Sequence, residues 1–158
     1  MNSIELILLN FEENRRRSIK VWNQIPTDKW SWKPDQEAMT CYEMIIHLLS
    51  GEYAYCHIVN NGGSLENFLD PYETREFSNM EELFAFSVPY RQEFINTIKS
   101  FSEEDLQNIK IDRSYLESGY IRQLGDMLLR IAYHESVHTG QLLDYMRTMG
   151  VERPHIWD

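Results

Sequence analysis

A chain of 158 residues, 42% hydrophobic and 13% aromatic, is long enough for one packed domain and too apolar to stay disordered. Its 25 acidic against 15 basic side chains leave a formal charge of -10, which repels nucleic acid and anionic membrane surfaces unless the few cations cluster. Arg15-Arg16-Arg17 is the candidate cluster, and since successive helical residues point about 100° apart, its three side chains are expected on a solvated face.

Glu5 interrupts the apolar run Ile4 to Leu9, so the start lacks a secretory signal, and no run is long enough to span a bilayer. The chain therefore reads as one domain over residues 1–158, cytoplasmic, with no nucleic-acid or membrane partner.

Apolar residues at Ile4, Ile7, Leu8, Phe11, Ile19 and Trp22 predict a first helix from Ser3 to Ile25. Pro26 ends it, because the residue before a proline avoids helical geometry. Thr27 to Met39 is an extended connection whose Trp30 and Trp32 are expected to cover the core. In Thr40-Cys41-Tyr42-Glu43 a hydroxyl and a carboxylate at capping-box spacing open a second helix running to about Val59. Met44, Ile45, Leu48 and Leu49 form its inward face, and His47 stands among them. Cys41 and Cys56 on that helix would lie about 22 Å apart, beyond disulfide reach, and stay reduced. Asn60-Asn61-Gly62-Gly63 tolerates left-handed geometry and stops the helix; Ser64 to Phe77 is then a loop long enough to border a site.

Ser78-Asn79-Met80-Glu81 reads as a second capping box, opening a third helix through about Lys99 that Pro89 should kink. Ser102 to Ser118 is polar and irregular, except that Ile109-Lys110-Ile111 suits a short extended piece. Tyr120 to Met149 contains no proline and closes at Gly150, the signature of a long fourth helix. Pro154 and Trp157 predict a docked rather than frayed tail. Four helices with one apolar stripe each make an all-α four-helix bundle with long connections, a fold that places metal sites between facing helices. Leu129, Ala132, Val137 and Leu143 lie off the fourth helix's main stripe, an extra apolar area that a second subunit of a homodimer would cover.

The fourth helix carries the chemistry. In His134-Glu135-Ser136-Val137-His138 the two histidines stand about 40° apart around the axis and about 6 Å apart along it, the spacing for two imidazoles on one metal ion. They and Glu135 fall within the stripe of Leu124, Met127, Leu128, Ile131, Leu142, Tyr145, Met146 and Met149, so three polar groups face inward and need partners. Glu135 is placed to accept a proton at such a site, or to orient a ligand from behind. Gln141, one turn beyond His138, is placed to hydrogen-bond a bound ligand.

The lone histidine in Glu43-Met44-Ile45-Ile46-His47-Leu48, the run His134 to Leu142, Trp32-Lys33-Pro34 before the second helix, and Gly150-Val151 with Pro154 and Trp157 resemble the DinB-like family of metal-binding four-helix proteins. That resemblance implies a three-histidine site, His47, His134 and His138, for a divalent metal, usually zinc or nickel. It implies an S-transferase-like reaction with a low-molecular-weight thiol such as bacillithiol, mycothiol or glutathione, and an electrophilic acceptor. Many members carry arginine where this chain has Thr139, which removes any anion contact from that position.

Two readings compete. One is a dimeric metal-binding module without turnover. The other is a zinc hydrolase of the His-Glu-x-x-His type, in which Glu135 activates metal-bound water and Glu152 or His155 supplies the third ligand.

Overall fold

The computed structural model describes residues 1–158. In chain order the elements are α1 (Ser3–Gln24), a 3-10 turn (Thr27–Lys29), α2 (Cys41–Asn60), α3 (Met80–Ser100), α4 (Glu103–Asn108), β1 (Lys110–Asp112), β2 (Ile121–Gln123) and α5 (Leu124–Thr148). The four long helices close into a ring in which α1 lies against α3 and α5, and α2 lies against the same two. The expected bundle is present, and no helix is long and apolar enough to cross a membrane.

Local chemistry sets the helix ends. Thr40 and Glu43 cap α2 reciprocally, as their spacing predicts. The α3 start lies one residue later than read: Asn79 is the cap, accepting from the Glu82 amide, while Glu82 reaches back to the Ser78 amide. The Asn79 amide oxygen takes the capping role expected of the Ser78 hydroxyl, as both residue types accept well at an N-cap. α3 runs unbroken through Pro89.

The segment 102–123 differs most from expectation. Ser102 and Asp105 form a capping box that opens α4, and the aspartate at the third position does the work expected of glutamate. Lys110–Asp112 is extended as read, but its antiparallel partner is Ile121–Gln123, residues assigned to the fourth helix. That helix therefore begins at Leu124. The ribbon is pinned to the end of α2, where the Gly62 carbonyl accepts from the Asp112 amide at 2.9 Å. Gly63 has φ of 119°, and a Cβ there would meet the Asp112 carbonyl oxygen at 2.0 Å, so only glycine fits this turn.

Two apolar clusters fill the bundle. One includes Phe11, Phe94, Ile98, Met127 and Leu128; the other includes Trp22, Ile45, Leu83, Leu142 and Met146. Burying each such side chain contributes about 1.5–3 kcal/mol. Trp30 stacks on Tyr42 and Trp32 meets Tyr145 edge-on, each pair at 5.3 Å, so both tryptophans cover the core as expected. Tyr72 and Phe77 of the long loop are buried in the second cluster. Burial pushes the free Cys41 and Cys56 thiols up to about 11, which leaves them unreactive.

Between the clusters lies a layer that is not apolar. Arg15 donates through Nε and Nη2 to the two Glu135 oxygens at 2.8 and 3.1 Å, and through Nη2 to Glu52 at 3.0 Å. Arg91 closes on Glu52 and on the Phe11 carbonyl. One charged residue from each long helix meets at this level. Arg15 is buried rather than solvated, correcting the reading of the arginine run; Arg16 and Arg17 instead hold the tail through Asp158 and the Ile156 carbonyl. The tail is tied by these contacts, while Trp157 is exposed. Of the four residues expected off the main stripe, Ala132 is buried and Leu143 half-buried, leaving Leu129 and Val137 exposed.

Candidate metal centre

Two helices supply the three imidazoles. His134 and His138 stand one turn apart on α5, half-buried at its junction with α2, and His47 reaches them from α2. Gly51, one turn beyond His47, faces the His134 ring: a Cβ there would lie 3.8 Å from it, in ordinary van der Waals contact.

The rings meet nearly at right angles, with interplanar angles of 80–88° and centroids 4.6–5.0 Å apart. The Nε2 of His134 lies 3.0 Å from the Nε2 of His47 and 3.0 Å from that of His138. All three ring nitrogens lie within 4.8 Å of one another. Nitrogens bound to one divalent ion at about 2.1 Å stand about 3.0–3.4 Å apart, and the two 3.0 Å separations at His134 match that spacing.

Proton bookkeeping points the same way. The Nδ1 of His138 lies 2.6 Å from the Oε1 of Gln141, an oxygen that only accepts, so Nδ1 carries the proton and Nε2 presents a lone pair. One N–H on His134 would then have to serve both neighbours at once. A cation satisfies all three lone pairs. Burial and the neighbouring His138 lower the His47 pKa; burial and the other two rings push His134 down to about 4. At neutral pH His47 and His134 are therefore the neutral bases that a metal needs.

Gln141 thus touches His138 rather than open space. Replacing it with leucine removes the acceptor that fixes the tautomer. Metal affinity is expected to fall about tenfold with the fold intact, measured by competition against a chromogenic chelator. Unchanged affinity would reduce Gln141 to a surface residue.

Glu135 lies elsewhere. Adjacent helical positions differ by about 100°, and that turn carries its carboxylate to the bundle centre, where both oxygens bind Arg15. No hydrogen bond joins it to an imidazole. Thr139 is also turned inward, its hydroxyl 2.8 Å from that of Ser18. Glu152 and His155 line a separate cavity of about 640 Å³ beside the tail, which none of the three imidazoles borders. Sequence reasoning missed Arg15, Glu52 and Arg91, although the spacing Phe11, Arg15, Ser18, Trp22 already marks Arg15 as inward.

Comparisons with known proteins agree with this architecture. The family described as the DinB superfamily matches residues 10–142. The protein YjoA of Bacillus subtilis is 25% identical over 146 residues, covering 91% of this chain and 89% of that one. The crystal structure of YjoA, described as a DinB-like protein, superposes with a TM-score of 0.69 at 22% identity over 96% of this chain and 97% of that one. A DinB-family structure from Exiguobacterium sibiricum gives 0.74 at 19% identity over 98% and 97% of the respective chains.

Proposed function

We propose that this chain, which belongs to the DinB superfamily, is a metal-dependent enzyme in which His47, His134 and His138 hold one divalent ion, zinc or nickel, and a low-molecular-weight thiol is transferred to an electrophile. The observation that carries the reading is the convergence of three Nε2 atoms with one imidazole already fixed in its metal-binding tautomer by Gln141. A divalent ion held by three neutral imidazoles keeps open positions, and a thiol bound there loses its proton near neutral pH.

The remaining roles belong to the chain's own side chains. Gln141 orients His138. Glu135, held by Arg15, acts at a distance by fixing the rotation of α5 that aims His134 and His138 at α2. This placement gives little support to the hydrolase reading, which needs a free carboxylate at position 135 and a third ligand from the tail. Homodimerisation is part of the same proposal and rests on the exposed Leu129 and Val137.

The test is thermal denaturation of zinc- or nickel-loaded and metal-free protein with glutathione and with bacillithiol. A ligand of the loaded state at a hundredfold excess over its Kd should raise Tm by about 5–10 °C, and the metal-free protein should not respond. Failure of both thiols on both loaded forms would favour the binding module without turnover.

A further inference from the structure

A cavity of about 440 Å³, within the size range of small-molecule sites, opens beside His134 and is lined by Tyr55, Arg122, Arg130, Tyr133, His134 and Val137. His134 belongs to both cavity and cluster, so the cavity adjoins the candidate metal centre on the His134 side.

The cavity wall carries unspent positive charge. Arg122, delivered by β2, gives Nη1 to Asp126 at 2.6 Å, but its Nε is buried without a partner. Arg130, half-buried one turn before His134, makes no ion pair or hydrogen bond; its guanidinium lies over the Tyr120 ring at 4.7 Å, and that of Arg122 over the same ring at 5.3 Å. A buried donor without a partner is destabilising, and a half-buried guanidinium is destabilised in the same direction. Two guanidiniums against one carboxylate, in a chain of charge -10, form a local basic site where the surroundings are acidic. Their planar forks suit a carboxylate or a phosphate.

We propose that this cavity binds the oxyanion, carboxylate or phosphate, of the small molecule whose thiol reaches the three-histidine centre, with Arg130 and the spare donors of Arg122 as its partners. The thiol end rests on the metal-centre reading above; the oxyanion end stands on the two arginines.

The probes are glutathione, with one thiol and two carboxylates, and glutathione diethyl ester, with the same thiol and no carboxylate, titrated calorimetrically into zinc-loaded protein. Glutathione is expected to bind at least tenfold more tightly. The R122Q/R130Q double variant should erase that difference while retaining zinc, and R130K, which keeps the charge, should preserve part of it, separating charge recognition from damage to the fold. Succinate and inorganic phosphate titrated into the His47→Ala protein keep the two readings apart. Binding of either that is lost in R122Q/R130Q supports the oxyanion site even where the metal reading fails, and the tighter of the two identifies the group. Equal affinity for the two thiols together with no succinate or phosphate binding overturns the proposal, as does a preference for glutathione that survives in the double variant.

Discussion

His47→Ala protein purified without chelator is expected to contain almost no metal, where the parent carries close to one ion per chain, by inductively coupled plasma mass spectrometry. His47 is exposed, so its truncation opens no core cavity and the melting temperature of the metal-free protein should barely move. The effect falls on the ion alone, which loses one of three nitrogens. His134→Ala should act similarly, because His134 stands 3.0 Å from each of the other two. Addition of zinc at a hundredfold excess over Kd should stabilise the parent by about 2.7 kcal/mol and leave both variants unchanged. Metal retained by the His47 variant would exclude α2 from the site and return the question to Glu152 and His155. A parent that takes up neither zinc nor nickel would end the metalloenzyme reading.

The second large effect lies at the bundle centre. Glu135→Gln removes a carboxylate that Arg15 meets with two hydrogen bonds, and leaves a buried guanidinium facing a neutral amide. Breaking one side of a buried pair costs about 3–5 kcal/mol, a large part of the 5–15 kcal/mol that separates most folded domains from their unfolded chains. Tm is expected to fall by roughly 10 °C, read in metal-free protein by urea and thermal denaturation. The double variant Arg15→Met with Glu135→Leu should recover most of the loss, since it replaces both charges with apolar groups and leaves Glu52 paired with Arg91. A loss under about 1 kcal/mol in Glu135→Gln would show that the layer contributes little to stability.

The same layer sets an acid response. Burial raises the Glu135 pKa, but the charge and hydrogen bonds of Arg15 outweigh it and hold the carboxyl below its usual 4.5. Its folded value is lower than its unfolded value, so its stabilisation is complete above pH 4.5 and is lost as pH falls from there through the folded value. Glu135→Gln should flatten that part of the stability profile.

The two effects separate what the ligand-bearing face does from what the core does, and sequence spacing reveals them unequally. On α5 the periodicity placed His134, Glu135 and His138 in one stripe about 100° wide. The stripe is real but has an edge and a centre. Glu135 lies at the centre, against Arg15, and the histidines lie at the edge that faces α2. Spacing on one helix fixes relative angles among its own residues and leaves open which neighbour each angle meets. Arg15 shows the converse: its spacing from Phe11 and Trp22 marked it as inward, yet it stood in a basic triplet whose composition suggested solvent. Periodicity was the better guide because burial follows the direction of the side chain, and a charge becomes tolerable inside once two carboxylates meet it.

The ribbon of β1 and β2 records a different limit. Ile121–Gln123 continued a helical pattern without a proline to break it, so a start at Tyr120 fitted the local sequence. Pairing with Lys110–Asp112, roughly a dozen residues earlier, overrode that preference and turned Arg122 toward the cavity beside His134.

What the sequence determined by itself was the number and order of the long helices, most of their ends, the two reduced cysteines and the pair of histidines one turn apart. Each of these is a local consequence of side-chain period, capping chemistry or a glycine that alone tolerates its backbone angles. Tertiary structure alone decided that His47 meets His134 and His138, that Glu135 turns away to Arg15, that Gln141 holds a ring nitrogen, and that Arg122 and Arg130 face one cavity. Those are distances between separate elements, fixed only when the helices close on one another and most buried donors and acceptors find partners in the same packed volume.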